Sequence, residues 1–333
     1  MSGAITKEPR AVSVVIPTWN GGPRFERVLD VLDRQDVAGG LQLVVIDSGS
    51  TDGTRAAAQA AGALIVEQDQ STFNHGATRN RAIEASSGQV VLLLTQDALP
   101  MSESYVSGML GAFEDVAVDG AYGRQFPMPD ADPILKYRLE QWSATRDEPS
   151  QQFFVQGDPD ASQAMFDGLP PIERYQRCAF DNVASAYRRS SWERWNLPPR
   201  NFGEDVAWAR RVLLAGGTIA FEPSAMVEHS HPISMKREFF RLYRDHKNLY
   251  ELFGVHNVPT WQRVKEGWKW QKNFYAELVD GLDITDRQKR YWKRYAIPYS
   301  FLETLAVFLG ARSHWKREES TFWRKFDDWA CAD

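Results

Sequence analysis

The sequence predicts an α/β protein, a mostly parallel sheet with helices on both faces, extended by a mainly helical C-terminal region. Three observations predict it. Short apolar runs alternate with helical patterns as far as Gln125, an alternation that specifies parallel strands covered on both sides. The alternation stops after Arg124, where Pro, Asp and Gln accumulate. From Met235 the pattern turns helical and basic, with 19 Lys and Arg against 14 Asp and Glu, and it holds seven of the twelve tryptophans.

VSVVI (Val12 to Ile16) reads as the first strand, and PRFERVLDVLDRQ as a helix that opens with Pro23 in its first turn, where the missing N–H has no helical partner to lose. LQLVVI, ALIVE and QVVLLL are the next three strands. TRAAAQAAG, HGATRNRAIEAS and a segment near Glu103 to Glu114 supply the helices that follow them. Phe126 to Pro171 is expected to be a long excursion rather than a packed layer, with one helix at Ile134 to Trp142. Order returns at CAFDNVASAYRR, continues through the helix of EDVAWARRVLLAGG and ends in two strands, TIAFE and AMVEHSH. The domains expected are 1–233, with halves at about 11–125 and 126–233, and the helical 234–333.

With 333 residues, 43% hydrophobic and 25% charged, the chain has the composition of a folded globular protein. Its two cysteines, Cys178 and Cys331, argue against a disulfide framework and suit a reducing compartment. MSGAITKEPRA lacks the apolar segment of a signal peptide, and the apolar run around Tyr299 to Leu309 is too short to span a bilayer and contains Glu303. The expected location is the cytoplasm. The net charge of −5 hides an asymmetry, because the first 234 residues carry 20 Lys and Arg against 30 Asp and Glu. Basic residues interleaved with Trp and Tyr suit peripheral contact with the inner face of the plasma membrane; an ordinary helical packing domain with solvated charges is the alternative. No cluster is dense enough for nucleic acid.

Parallel sheets take ligands at the carboxyl ends of their strands, which is where Pro17, Thr18, Asn20, Asp47 and Asp97 fall. The first strand-to-helix turn, PTWNGGPRF, lacks the Gly-x-Gly-x-x-Gly spacing, and no GxxxxGK[ST] loop occurs. Those absences weigh against a dehydrogenase or a P-loop enzyme.

Five blocks stand in order: VVIPTWNGG, VVIDSGSTDGT, HGATRNRAIEASSG, the strand ending at Asp97, and NFGEDVAWARRVLLAGG. Together, from Val12 to His231, they resemble the family 2 glycosyltransferases of the GT-A fold. FNHGATRN, LLLTQDA and AYGRQ are most similar to the bacterial rhamnosyltransferases of that family. The resemblance implies an inverting enzyme that moves L-rhamnose from dTDP-β-L-rhamnose to a hydroxyl of a bacterial surface glycan or lipid-linked acceptor. Two rival readings are a transferase using a UDP-hexose on a soluble acceptor, and a catalytically silent nucleotide-sugar-binding protein.

The resemblance also implies roles. Asp97 sits where the family has the last acid of its Asp-x-Asp signature, which holds Mg2+ or Mn2+ against the diphosphate, but Thr95 and Gln96 replace the acids before it. A second metal ligand is expected from VEHSH, at His229 in preference to His231; the alternative is two structural histidines. Asp47 is either a ligand of the nucleotide base or ribose, with Pro17, Thr18, Asn20 and Gln96 around it, or a turn residue of DSGSTDGT. His75, Arg79 and Asn80 share one helix face, and the forked donors of Arg79 suit a diphosphate or a structural ion pair. Asp205 is the expected base, at a helix N-terminus where an acid can also act merely as a cap. Glu204 is expected to orient the acceptor. Arg124, Gln125, Asp181 and Asn182 are expected to line the sugar or acceptor pocket. Trp208 belongs either to that pocket or, the stronger reading, to the core.

Overall fold

The computed structural model describes residues 12–141, 146–230 and 234–331. The peptide MSGAITKEPRA, Trp142 and His231 lie outside these residues. Strands are β1 (Val12–Thr18), β2 (Gln42–Asp47), β3 (Leu64–Glu67), β4 (Val90–Leu94), β5 (Leu99–Pro100), β6 (Val118–Phe126), β7 (Ser150–Gln152), β8 (Ala184–Arg188) and β9 (Thr218–Glu228). Helices are α1 (Gly22–Asp33), α2 (Thr54–Ala60), α3 (His75–Ala85), α4 (Tyr105–Gly111), α5 (Pro133–Glu140), α6 (Pro159–Gly168), α7 (Pro171–Arg177), α8 (Arg189–Arg194), α9 (Glu204–Leu214), α10 (Met235–Phe253), α11 (Trp261–Asp280), α12 (Asp286–Glu319) and α13 (Thr321–Cys331).

The chain divides into two compact units. The first holds a single sheet of order β3-β2-β1-β4-β8-β6-β9-β5, with β7 paired to β9. β1 to β4 run parallel, as their alternation with helices predicts. β1 is buried nearly throughout, β4 throughout, and β2 in all but its first residue, which is why they read as unbroken apolar runs rather than alternating ones. The edge strand β3 is buried nowhere. β8 enters antiparallel to both β4 and β6, and β9 returns parallel to β6.

Two expectations are corrected here. TIAFE and AMVEHSH are one strand, β9, not two. Pro223 cannot donate to a ladder, and the sheet absorbs it as a register jump, from Gly123 opposite Glu222 to Arg124 opposite Met226. A Cβ at Gly123 would lie 2.3 Å from the Ala225 carbonyl, so the bulge packs directly on that glycine. The stretch after Phe126 is also more than an excursion. It contributes α5, β7 and α6, buries Phe154 and Phe166, and adds β7 to the sheet beside β9.

The second unit comprises 131–137, 170–176 and the chain from 231 onward. α10 and α12 approach so closely at Gly310 that a Cβ there would meet the Tyr243 carbonyl at 2.3 Å. Asp327, 1% exposed, accepts from Tyr243, Lys247 and Arg317 and pins α13 to both helices. No helix among the described residues is long and apolar enough to cross a membrane.

Candidate active site

The first unit brings four strand ends together. Leu94 of β4 pairs with Ala184 of β8, and beyond them the Thr95 N–H donates to the Val183 carbonyl. The tip of β4, with Asp97, therefore lies beside the approach to β8, with Asp181 and Asn182. Gln125, near the end of β6, donates to Asp181 at 2.6 Å. The last pair of β6 and β9 is Phe126 with Glu228, after which the His229 N–H donates to the Phe126 carbonyl. α9 then sets its N-terminus against the same place, where Asp205 accepts from the Asn182 N–H at 3.3 Å.

Asp97 and His229 meet as the sequence predicts: Nε2 of His229 lies 3.7 Å from Oδ1 of Asp97, and both side chains are partly exposed. Arg24 of α1, which the sequence reading missed, donates to the carbonyls of Asp97 at 3.1 Å and Glu228 at 2.9 Å. It clamps the tips of β4 and β9 together. Nothing in PTWNGGPRF singles it out, because its partners are backbone atoms from strands remote in sequence.

Glu204 and Asp205 share a helix end but have opposite surroundings. Glu204 is buried and accepts from Arg79 Nη1 at 2.6 Å and from Asn182 Nδ2 at 2.9 Å. Burial pushes its pKa up, but the Arg79 guanidinium, His75 and the Asn182 amide outweigh that and hold it below the usual carboxylate range. Asp205 is half-buried and has no cationic partner at hydrogen-bond distance among the described residues. Burial first, then the charges of Glu204 and Asp181, raise its carboxyl well above the ordinary aspartate value. A carboxylate so raised, at a helix N-terminus beside the converging strand ends, has the properties of a general base.

The chain places α9 by docking α3. Gly76 donates to the Arg200 carbonyl, and Asn80 uses both ends of its amide on the same segment, accepting from Trp192 Nε1 and the Leu197 N–H and donating to the Leu197 carbonyl. A Cβ at Gly76 would lie 1.9 Å from the Pro198 carbonyl oxygen. Gly76→Ala is therefore expected to destabilise the chain by about 2 kcal/mol or more through overpacking against backbone, read as a lower urea midpoint. An unchanged midpoint would show that 197–200 yields freely.

Several side chains expected at the ligand prove to hold the framework instead. Asn80 is committed to the 192–197 segment. Arg79 Nη1 is engaged by Glu204 and contacts His75, while its Nε has no hydrogen-bond partner among the described residues. Asn182, 2% exposed, takes hydroxyl donors from Ser185 and Tyr187 while donating to Glu204. Asp47 accepts from Gly49 N, Ser50 N, Ser50 Oγ and Thr18 Oγ1, which fills a carboxylate's four acceptor positions. Asn20, at φ 48°, binds Ser50 and Thr51, and Gln96 forms a reciprocal pair with the backbone of Trp19. These contacts knit the loops after β1, β2 and β4. Pro17 stays within β1. Trp208 is fully buried against Tyr187 and Phe180, with its indole N–H on the Trp195 carbonyl, and is core. Arg124 pairs with Asp147 and lies 4.5 Å over the Phe126 ring. His75 stacks edge-on against Phe73 and contacts Arg79.

Residues 13–166 match the family model described as glycosyl transferase family 2. That match covers 154 of the chain's 333 residues. The chain is 28% identical over 314 residues to the O-antigen chain rhamnosyltransferase RfbN of Salmonella typhimurium, covering 92% of this chain and 90% of the relative. It is 29% identical to the O-antigen chain rhamnosyltransferase WbaN of Salmonella anatum, covering 91% and 90%. Among solved structures, glucosyl-3-phosphoglycerate synthase from Mycobacterium tuberculosis, in complex with Mn2+, UDP and glucosyl-3-phosphoglycerate, aligns with TM-score 0.52 at 18% identity over 74% of this chain and 81% of that one. That likeness shows the fold, a mixed α/β sheet of the GT-A kind.

A carboxylate oxygen and an imidazole nitrogen 3.7 Å apart fit two positions of one hard cation. No third His, Cys, Asp or Glu completes a cluster among the described residues. Water and diphosphate oxygens suit the remaining positions, as Mg2+ commonly accepts.

Proposed function

We propose that this glycosyltransferase moves L-rhamnose from dTDP-β-L-rhamnose to a hydroxyl of a bacterial surface glycan or lipid-linked acceptor, with inversion at the anomeric carbon. The observation that carries the chemistry is the placement of Asp205 at the N-terminus of α9, accepting from the Asn182 N–H where the ends of β4, β6 and β9 converge and with no cationic partner at hydrogen-bond distance among the described residues. The names of the two relatives that span nearly the whole chain support the sugar.

Asp205 accepts the proton of the acceptor O–H as that oxygen forms its bond to the anomeric carbon. The bond from that carbon to the diphosphate breaks on the opposite side, and the nucleoside diphosphate leaves with the electron pair. A β donor thereby gives an α-L-rhamnoside. Asp97 and His229 would hold Mg2+ or Mn2+, which supplies charge neutralisation for the diphosphate. Arg24 holds the strand tips that carry both ligands. Asp181 and Gln125 remain as candidates to touch the sugar or acceptor, while Thr18, Asp47 and Asn20 act by shaping the loops around the nucleotide.

A donor panel tests this reading. With dTDP-rhamnose, UDP-glucose and UDP-N-acetylglucosamine, release of nucleoside diphosphate is expected from dTDP-rhamnose alone, abolished by EDTA and restored by Mn2+. Preferential turnover of a UDP-hexose replaces the donor assignment, and full activity in EDTA removes the metal. Binding of nucleotide-sugar with no release from any donor would favour a silent binding protein.

A further inference from the structure

The antiparallel pair α11 and α12 presents one aromatic and basic face. On α11 it runs through Trp261, Lys265, Trp268 and Lys272, at spacings of three and four that align side chains on one side of a helix. On α12 it runs through Ile297, Phe301, Phe308 and Arg312. The two stripes meet: the Trp261 ring lies 5.8 Å from Phe308 and the Trp268 ring 5.4 Å from Phe301. Trp268 Nε1 donates to the Ile297 carbonyl at 3.0 Å. Trp261 and Ile297 are each 48% exposed.

Cations border this apolar strip. Lys272 Nζ lies 5.7 Å from the Trp268 ring and the Arg312 guanidinium 4.4 Å from that of Phe308. Neither stripe contains an acid. Elsewhere in the unit carboxylates pair with cations, as Asp327 does with Lys247 and Asp280 with Lys293, whereas Lys265 and Lys272 have no ion-pair partner among the described residues.

We propose that this face seats the protein on an anionic lipid bilayer, with the indoles at headgroup level and the lysines among the lipid phosphates. Trp favours that depth because its ring is apolar and its N–H polar, and each nearby Lys adds attraction to the negative surface within a Debye length. A second copy of this chain is the poorer occupant, because a two-fold contact sets the same patch against itself and faces Lys265 and Lys272 with their own like charges.

The test is flotation of the full chain with vesicles of phosphatidylcholine alone, and with phosphatidylglycerol added to about a third of the lipid. Binding is expected to the anionic vesicles only, and to be lost near 1 M salt, where screening shortens the Debye length to about 3 Å. Lys265→Glu/Lys272→Glu and, separately, Trp261→Ser/Ile297→Ser should each lower partitioning roughly tenfold or more while keeping the wild-type melting temperature. Equal binding to neutral vesicles, no binding to either, or binding that both variants leave intact overturns the proposal. So does a dimer in light scattering that the charge-reversal variant dissolves while vesicles are ignored.

Discussion

Asp205→Asn is expected to bind nucleoside diphosphate within about twofold of wild type and to lose turnover by a factor of roughly 10²–10⁴, the range a positioned general base contributes. The same substitution should make the protein more stable at neutral pH. The Asp205 carboxyl is raised in the folded chain by burial and by the charges of Glu204 and Asp181, so its ionised form is disfavoured there. A group raised on folding gives its full stabilisation below its unfolded value and loses it as pH rises through the folded one. Asparagine has no such loss. Denaturant midpoints of variant and wild type should therefore coincide near pH 4, the ordinary aspartate value, and separate above it in favour of the variant. Wild-type kcat/KM should rise with pH through the raised value and then level off. The role of base would fall if the variant kept near-normal turnover. A variant less stable than wild type at pH 8 would instead show that Asp205 is a structural cap.

What could be read from the chain was whatever local pattern dictates. The parallel strands β1 to β4 follow from apolar runs of the right length, and α1, α2 and α3 from their periodicity, with Asn74 capping α3 through Ala77 N. The pairing of Asp97 with His229 was legible because family motifs fix the ends of β4 and β9. Long-range polar contacts were not. Arg79 and Glu204 stand 125 residues apart, and no spacing rule distinguishes an arginine aimed at a phosphate from one buried against a carboxylate. Asp47 and Gln96 are polar residues at strand ends, where ligand contacts and loop clamps call for the same side chains. β9 was read as two strands because the sheet absorbs Pro223 through a register shift packed on Gly123, a long-range fit that no local pattern shows.

Removing one partner of the Arg79–Glu204 pair is expected to have the largest effect on stability. Both side chains are nearly inaccessible, at 7% and 5% exposure, so each substitution leaves an uncompensated charge in the interior. Glu204→Gln and Arg79→Met should each destabilise by about 3–5 kcal/mol. The double variant should lose less than the sum, with a coupling of about 1–3 kcal/mol, because neither charge then remains. Urea titrations at pH 7 measure all three; strictly additive losses would mean the pair is not a unit. The pair also has a pH signature. Glu204 is held below its usual value, so its contribution is present above that value and is lost as pH falls through the lowered one. In Arg79→Met the largest lowering influence is gone, leaving burial opposed by His75, Asn182 and a backbone N–H, and stability should fall off at higher pH than in wild type. Glu204→Gln is also expected to affect catalysis. The Glu204 charge is one of the terms that lift Asp205, so neutralising it should move the acid limb of the kcat/KM profile to lower pH while the protein remains folded. A profile that stays in place would mean that burial alone sets the base, and that Glu204 serves only to tie α9 to α3.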